Sequence, residues 1–518
     1  MSLDSIKKLL ALNYTNITEN NLYALKRQWS KTLKYTPRDS DIRAAYKELV
    51  AEGKMQNDPK ILQLLTTRAV RTMSGVTPFA VMTKPYICPG SCTFCPLELG
   101  MPKSYLSDEP AAARARQMDF DPKRQIESRL EQLVATGHDT DKIELIVIGG
   151  TFSNYPKEYK QSFFKDMIDT INGEASETLE EAQAKNEHAA RRIVGISIET
   201  RPDWIDIKEI KLLRELGVTK LQIGVQAFDE EILQRIKRGH SLQVVADATH
   251  MLKDAGFKIC YHFMPNLPGS SPEKDLEMAH MMYYDPRFQP DFVKIYPAQT
   301  IPGTELHREW ERGEYVPYSE DELLTVLRQI KLITPPTVRI DRLVRDISKK
   351  WVASGTKASN TRQYIQEQFK KEGLVCQCIR CREVRERPNQ VDAELVVRQS
   401  ETKGGTDLML SYEKDGALFS ILRMRLPTDL GNNIFPELMG CAIIREIHTF
   451  GKTALVGSSG QDKTQHQGFG RRLIVEAEER AKIAGYNKIA VISSIGTRDY
   501  YRKFGYEREG LYMTKVLN

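Results

Sequence analysis

The sequence predicts an α/β protein in which an open (βα)6 barrel is preceded by a helical segment and followed by a second, smaller α/β domain. Six short apolar runs between Phe79 and Ala298 alternate with amphipathic stretches, which is the pattern of βαβ units in a parallel sheet. A second series of strands begins near Ala393, whereas residues 1–75 show only helical periodicity. A chain of 518 residues is long enough for two to four domains. We expect boundaries at 1–75, 76–300, 301–390 and 391–518.

The helical segment, residues 1–75, is basic. It contains thirteen Lys and Arg against seven Asp and Glu, an excess that equals the net charge of the whole chain, +6. Cationic helices with interleaved aromatic residues suit contact with nucleic-acid phosphates and bases. A solvated helical face would show the same charge, so charge alone leaves both interpretations open.

The barrel segment, residues 76–300, makes three quarters of an eight-stranded TIM-type barrel. Its predicted strands are FAVMTKP, IELIVIGG, RIVGISIET, KLQIGVQAF, KICYHFMP and DFVKIYPA. Functional groups in such sheets follow the carboxyl ends of the strands. The first strand leads into a cysteine loop, the second ends in Gly149-Gly150-Thr151, the third ends near Glu199 and the sixth carries Lys294. These features therefore belong to one rim of the predicted barrel.

The cysteine loop has the spacing C-x3-C-x2-C, formed by Cys88, Cys92 and Cys95. Three thiolates that hold a cluster of four irons and four sulfides leave one iron free to bind a small molecule. A zinc site with a distant fourth ligand is the alternative. Eight cysteines are too few for a disulfide scaffold, and their clustering without a secretion signal indicates metal ligation in a reducing, cytoplasmic setting. No apolar run reaches 18 residues, so we expect no membrane span.

Residues 301–390 form a basic connector that contains a second cysteine group, CQCIRC. Three thiols within six residues, Cys376, Cys378 and Cys381, favour a structural zinc ion whose fourth ligand comes from elsewhere in the chain. His448 and Cys441 are the two candidates for that ligand, and a second iron–sulfur cluster is the alternative. A zinc ion here would pin the connector between the two larger domains.

The last domain, residues 391–518, contains a glycine turn that introduces a long helix. Four predicted strands precede the turn QHQGFG, and the helix and a further strand follow it. Backbone N–H groups at such a turn can bind phosphate through their unpaired donors and the helix dipole. A pair of tyrosines, Tyr500 and Tyr501, follows the last apolar strand.

Two parts of the chain resemble large enzyme families. The cysteine array resembles the radical S-adenosylmethionine (SAM) superfamily, which implies a radical SAM barrel, a [4Fe-4S] cluster and SAM bound near Gly149, Gly150, Thr151 and Glu199. The last domain resembles the Gcn5-related (GNAT) acetyltransferases. That likeness implies acetyl-CoA as a cosubstrate and Tyr500 or Tyr501 near its thioester. The implied acetyl-CoA contacts are Gln465, His466, Gln467, Gly468, Phe469, Gly470 and Arg471.

The order of the parts resembles one family in particular, the Elongator-type tRNA uridine acetyltransferases. The likeness covers nearly the whole chain and includes RTMSGVTPFAVMTKP, SIETRPDW, TQHQGFG and TRDYYRKFGYE. It implies that a radical formed on the acetyl methyl group adds to carbon 5 of the wobble uridine, and that hydrolysis then leaves 5-carboxymethyluridine. Lys294 would assist with the substrate or its thioester. The gap of three residues between the first two cluster cysteines is shorter than in eukaryotic members, which argues against a eukaryotic origin.

The same likeness implies the partners of the protein. The tRNA anticodon stem-loop would contact the basic helices through Lys26, Arg27, Lys31 and Lys34. Other Elongator-like subunits would be needed in a eukaryote, whereas a prokaryotic protein would act alone. Two further interpretations stay open: a protein lysine acetyltransferase with a structural barrel, and a tRNA-binding module without catalysis.

Overall fold

The computed structural model describes residues 3–13, 17–18, 20–66, 72, 74–355, 360–384, 392–431, 434–451 and 468–518. The amino-terminal segment is helical, as predicted, and its helices are α1 (Leu3–Asn13), α2 (Leu22–Leu33), α3 (Asp39–Ala51) and α4 (Pro59–Leu64). Its core is small and separate, with Trp29 and Tyr46 fully buried at the centre. No helix in the described part of the chain is both long and apolar enough to cross a lipid bilayer.

A parallel sheet of seven strands in sequence order forms the half-barrel. All six predicted strands are present, and a seventh is added from the connector. The strands are β1 (Thr77–Met82), β2 (Lys142–Ile148), β3 (Arg192–Thr200), β4 (Lys220–Gln226), β5 (Lys258–Phe263), β6 (Phe292–Ile295) and β7 (Arg339–Leu343). Within the described chain the sheet does not close, because β1 and β7 form its two edges.

The seventh strand was not predicted because charged residues interrupt it. Its sequence, RIDRL, carries three charges in five positions and therefore lacks the apolar run of a buried strand. In the folded protein the charge of Asp341 is directed into the barrel, where its carboxylate lies 2.8 Å from Nζ of Lys220. Lys220 and Arg339 lower the pKa of Asp341 well below its usual range, in spite of its burial.

Helices cover the outside of the sheet, and most begin at a side-chain cap. Asp121, Thr178, Asp206, Asp229 and Ser241 each accept the N–H of a residue in the first helical turn. The helices of this layer and of the connector are α5 (Pro110–Gln117), α6 (Pro122–Ala135), α7 (Lys157–Asn172), α8 (Leu179–His188), α9 (Ile207–Glu215), α10 (Glu230–Arg235), α11 (Leu242–Asp254), α12 (Pro272–Tyr284), α13 (Glu305–Glu311), α14 (Glu320–Ile333), α15 (Thr361–Glu372) and α16 (Ile379–Arg382).

The second domain is a mixed sheet with one helix crossing over it. Its elements are β8 (Glu394–Thr402), β9 (Gly405–Lys414), β10 (Ala417–Pro427), β11 (Cys441–Thr449), α17 (Phe469–Ile483), β12 (Lys488–Val491), α18 (Arg498–Arg502), β13 (Glu507–Glu509) and β14 (Tyr512–Val516). The strand order is β13-β14-β12-β11-β10-β9-β8. Among the described strands of this sheet, only β11 and β12 run parallel, and α17 lies between them in sequence.

The parallel pair separates part of the way along β11. Strand β12 pairs only with Cys441–Ile444, whereas β11 stays paired with β10 as far as Thr449. The register of β10 and β11 shifts beside Arg423, which leaves Arg445 as an extra residue in a β-bulge. The carboxyl half of β11 is therefore open on the side of β12.

Buried ion pairs join the second domain to the amino ends of the barrel strands. Asp291, just before β6, accepts bonds of 2.5 and 3.1 Å from Arg445 and lies 3.5 Å from Arg423. Arg425 pairs in the same way with Asp254, at 2.8 Å. Apolar residues of both domains share one hydrophobic core, with Ile443 and Tyr512 contributed by the second domain. The two domains therefore pack as one unit.

Replacing Asp291 should destabilise the whole protein. Asp291→Ala removes the main carboxylate partner of the buried Arg445, which keeps only Asp407 at 3.8 Å, and breaks this pair at a cost of about 3–5 kcal/mol. Arg423 retains Glu446 at 2.8 Å. Thermal unfolding followed by circular dichroism should show a clear drop in Tm. Asp285→Ala, which breaks a half-exposed pair with Arg287, is the control and should cost about 0–1 kcal/mol. Equal shifts in the two variants would contradict the importance of the interface.

Candidate active site

A cavity of about 930 Å³ connects the cysteine loop with the second domain. It starts among Cys88, Cys92 and Cys95, at the carboxyl ends of the barrel strands, and continues through the interior of the barrel. Its far end is lined by β10 and β11, including Glu446 and His448. The cavity therefore joins the cysteine loop to the second domain, although its lining includes none of the described residues of the predicted acetyl-CoA turn.

The cysteine loop follows β1 and is tied to two neighbouring helices. The N–H of Thr93 donates to the carbonyl of Ile236 at 3.2 Å, and the N–H of Leu306 donates to the carbonyl of Thr93 at 2.9 Å. All three cysteines are free thiols and are partly buried. Burial, reinforced by the neighbouring Cys92, raises the pKa of Cys95 to about 12. Cluster binding requires the thiolate form of each cysteine.

The two cysteine groups differ in the spacing of their sulfur atoms. Cys376, Cys378 and Cys381 have sulfurs that all lie within 4.8 Å of one another, whereas those of Cys88, Cys92 and Cys95 do not. Four thiolates around one zinc ion, at about 2.3 Å each, stand about 3.8 Å apart. The second group has the dimensions of a single-ion site, and the wider first group fits a larger cluster.

Neither candidate for the fourth zinc ligand lies within the second cysteine group. Among the described residues, neither His448 nor Cys441 joins the second cysteine group. Cys441 instead donates to the carbonyl of Glu437 at 3.4 Å, and His448 stacks on Phe450. The polar groups that do approach are Nζ of Lys331, 3.6 Å from the Cys381 sulfur, and the amide of Gln366, 3.8 Å from it.

The glycine pair after β2 serves two different purposes. A Cβ on Gly149 would overlap the hydroxyl of Thr83, so packing against β1 explains this glycine. Gly150 and Thr151, by contrast, line the cavity, and the Thr151 hydroxyl lies 3.8 Å from the Cys88 sulfur. Gly150 has a φ of +94°, a conformation that other residues rarely adopt.

Glu199 and Lys294, predicted from separate strands, face each other across the barrel interior. Their charged groups are 3.6 Å apart, and Lys294 also donates to the side-chain oxygen of Gln222. Burial opposes the charge on Lys294, but Tyr296 and Glu199 outweigh it, so the pKa of Lys294 is raised. Lys294 therefore stays a cation inside the cavity.

The sequence did not predict two further groups in this interior. The Tyr105 hydroxyl donates to Glu199 at 2.5 Å and fixes one of its oxygens. Nε2 of His262 is buried without a hydrogen-bond partner in the described part of the chain, and burial together with Lys294 lowers the His262 pKa well below its usual value. Tyr105 and His262 lie far apart in the sequence, so no local motif indicates that they share a site.

The predicted acetyl-CoA site is described in part. Gln465, His466 and Gln467 lie outside the described residues. Gly468 precedes α17 as its cap, and Gly470 lies in the first turn, where an added Cβ would be 2.5 Å from the Tyr500 hydroxyl.

The side chains near this turn divide between the surface and the core. Arg471 is exposed, whereas Phe469 is 2% exposed and packs on Tyr412. Tyr500 is 37% exposed beside Gly470, but Tyr501 is buried in the domain core. Of the two tyrosines, only Tyr500 can therefore approach a ligand at the turn.

The predicted tRNA contacts lie on α2 and at its end. Arg27, Lys31 and Lys34 are exposed, whereas Lys26 pairs with Asp39 at 2.8 Å. Tyr23, 74% exposed, stands one turn before Arg27, which in turn stands one turn before Lys31. An aromatic ring and successive cations thus share one face of the helix.

Comparison with known proteins covers both domains. The radical SAM superfamily matches residues 82–282, the radical SAM C-terminal domain matches 290–371, and the GNAT acetyltransferase domain matches 461–514. A tRNA uridine(34) acetyltransferase of Methanocaldococcus infernus is 44% identical over 481 residues, which cover 89% of this chain and 90% of that protein. Elongator complex protein 3 of Danio rerio is 39% identical over 478 residues, covering 88% and 86%.

A solved structure agrees with this similarity. The archaeal Methanocaldococcus infernus Elp3, with residues 1–46 deleted, superimposes with a TM-score of 0.76 and 41% identity. The match covers 86% of this chain and all of that one. The similarity therefore extends across both domains and the connector between them.

His448 should make the stability of the protein depend on pH. Burial, partly offset by Glu446, lowers the His448 pKa to about 4, whereas the unfolded chain takes up this proton near pH 6.5. Stability is therefore complete above pH 6.5 and falls as the pH drops toward 4, by roughly 1–2 kcal/mol at pH 5. Urea unfolding at pH 7 and pH 5 should show a smaller difference for His448→Gln than for the wild type. His280→Gln, at an exposed position, should behave like the wild type, and equal differences in all three would contradict the assignment.

Proposed function

The chain belongs to the family of tRNA uridine(34) acetyltransferases and Elongator complex protein 3, and we propose that it converts the wobble uridine of tRNA to 5-carboxymethyluridine. The protein joins a radical SAM half-barrel to a GNAT acetyltransferase domain. The observation that carries the proposal is the continuous cavity between the cysteine loop and the second domain. Such a reaction needs a radical source and an acetyl donor to meet, and the cavity joins the cysteine loop to strands β10 and β11 of the domain that would carry the donor.

Three cofactors or cosubstrates follow from this proposal. Cys88, Cys92 and Cys95 hold a [4Fe-4S] cluster through their three thiolates, which suits their wide spacing. SAM binds at this end of the cavity, beside Gly150, Thr151 and Glu199. When bound, the cluster and SAM would supply the radical chemistry that activates the acetyl methyl group. Acetyl-CoA binds at the first turn of α17, where the backbone N–H groups of Gly470 and Arg471 are donors for its phosphates.

Lys294 and Glu199 form the polar centre of the proposed site. A buried ammonium group can donate hydrogen bonds to a thioester or uracil oxygen in a water-poor space, where such bonds are strong. Tyr296 and Glu199 favour the charged form of Lys294. The Tyr105 hydroxyl donates to the second oxygen of the Glu199 carboxylate. We assign Lys294 to substrate orientation and Tyr500 to contact with the acetyl-CoA arm beside Gly470.

The second cysteine group is proposed as a structural zinc site. Its short sulfur spacing and its burial suit a single ion that holds the connector on the barrel. Three thiolates and one Zn²⁺ carry one net negative charge, and the buried ammonium of Lys331 compensates that charge. We further propose a cytoplasmic location, where tRNA, acetyl-CoA and reducing conditions coincide.

The exposed face of α2 is proposed to bind the tRNA backbone around the anticodon stem-loop. Arg27, Lys31 and Lys34 provide charges for phosphates, and Tyr23 provides a ring on which a base can stack. Lys26 takes part less directly because Asp39 neutralises it.

Charge reversal on this face should weaken tRNA binding. The double variant Arg27→Glu, Lys31→Glu should bind tRNA about tenfold or more weakly, and the slope of log affinity against log salt should fall by about 2. Filter binding over a range of salt concentrations measures both quantities. Lys60→Glu, a single reversal at an exposed site on α4, should keep the salt slope within about 1 of the wild type. Unchanged affinity and slope in the double variant would rule out α2 as the tRNA contact.

The activity itself has a direct test. The protein is incubated anaerobically with tRNA, acetyl-CoA, SAM and a reductant, and the nucleosides are then analysed by mass spectrometry. We expect a carboxymethyl group on uridine with the wild type and none with Cys92→Ala, which should still bind acetyl-CoA. A product that survives Cys92→Ala would contradict the proposal. Lysine acetylation unaffected by this variant, without any nucleoside product, would favour the alternative of a protein acetyltransferase.

A further inference from the structure

A buried arginine contacts the sulfur of one cluster cysteine. Arg238 follows α10 and is 6% exposed, and its Nη1 lies 3.3 Å from Sγ of Cys92. The rest of its guanidinium is anchored, because Nε donates to the carbonyl of Gly224 at 3.0 Å and Nη2 donates to the same oxygen. The strand β4 thus fixes the guanidinium of Arg238 beside the cysteine loop, although Arg238 and Cys92 are 146 residues apart in sequence.

A second arginine supports the first and reaches the same loop. Arg201, also 6% exposed, donates from Nη2 to the carbonyl of Arg238 at 2.8 Å. Its Nε and Nη2 bond Asp203, each at 2.9 Å. Its Nη1 is buried without a hydrogen-bond partner among the described residues, and it lies where a Cβ on Gly90 would be placed. That same Cβ position is 3.7 Å from the Cys88 sulfur.

This arrangement places fixed positive charge next to the cluster ligands. The guanidinium of Arg238 is a delocalised cation that presents several N–H donors in a fixed plane. Burial makes its field strong, because two charges at a given distance interact more strongly in a medium of low polarity than in water. The nearby His240 feels the same field, since burial and Arg238 together lower its pKa to about 4.

Charge of this kind affects the redox chemistry of an iron–sulfur cluster. Reduction adds one negative charge to the cluster, so a neighbouring cation favours the reduced form and raises the reduction potential. Hydrogen bonds to the ligand sulfurs act in the same direction. A bond from a cation to Cys92 combines both effects at one atom.

We propose that Arg238 raises the reduction potential of the [4Fe-4S] cluster by donating a charged N–H bond to the Cys92 sulfur, and that Arg201 holds Arg238 in place. The inference rests on the cluster of the proposed function. Arg238 tunes the cluster because it bonds the Cys92 sulfur and is anchored on Gly224. Arg201 is a positioning residue because it bonds the carbonyl of Arg238 and is itself held by Asp203. The consequence is that a cellular reductant can deliver the electron more easily.

The test measures the cluster potential directly. Wild type, Arg238→Gln, Arg238→Lys and Arg201→Gln are reconstituted anaerobically with iron and sulfide. Each is then titrated with dithionite in the presence of redox mediators, and the reduced cluster is followed by electron paramagnetic resonance. Arg238→Gln should be about tenfold harder to reduce, which is 59 mV for one electron. Arg238→Lys, which keeps the charge, should lie between the two, and Arg201→Gln should shift in the same direction as Arg238→Gln.

Lys237→Gln is the matched control, because it removes the adjacent but exposed cation that pairs with Glu305. Its potential should equal that of the wild type. An unchanged potential in Arg238→Gln with a full iron content would overturn the inference. Should Arg238→Gln fail to retain iron, potentials equal to the wild type in both Arg238→Lys and Arg201→Gln would overturn it instead. A wild type that assembles no cluster would contradict the proposed function itself.

Discussion

The buried pair between Asp291 and Arg445 determines how the two domains of this protein can cooperate. It fixes the sheet of the second domain against the amino ends of the barrel strands, while the cysteine loop lies at their carboxyl ends. Apolar residues of both domains also share one core, so the interface holds the two domains in one arrangement. The cavity, which runs from the cysteine loop to β10 and β11, is the route that the proposed reaction would use.

The interior of the barrel contains buried ion pairs. Asp341 pairs with Lys220, and Glu199 pairs with Lys294, so charged side chains replace part of the apolar packing of a filled barrel. Such pairs are costly to bury and contribute little net stability. In the proposed function they provide a hydrogen-bonding surface for polar reactants. The charged Asp341 of β7 belongs to this set, through its pair with Lys220.

Much of the site could be predicted from the sequence, because the signals are local. The alternation of strands and helices, the spacing of Cys88, Cys92 and Cys95, and the position of Glu199 at a strand end each occupy a short stretch. The rest depends on distant contacts. Arg238 meets Cys92 across 146 residues, and the burial of Tyr501 but not Tyr500 depends on how α18 packs. A fourth zinc ligand could not be assigned from spacing because no ligand pattern near CQCIRC specifies one.

The proposed reaction requires a radical generated at the cysteine loop to reach an acetyl group carried by the second domain. Acetyl-CoA deuterated on its methyl group distinguishes this route in an anaerobic reaction with tRNA, SAM and reductant. We expect one deuterium to appear in 5′-deoxyadenosine and the other two to remain in the carboxymethyl group on uridine. Cleavage of SAM that leaves no deuterium in 5′-deoxyadenosine, while the tRNA product still forms, would contradict it.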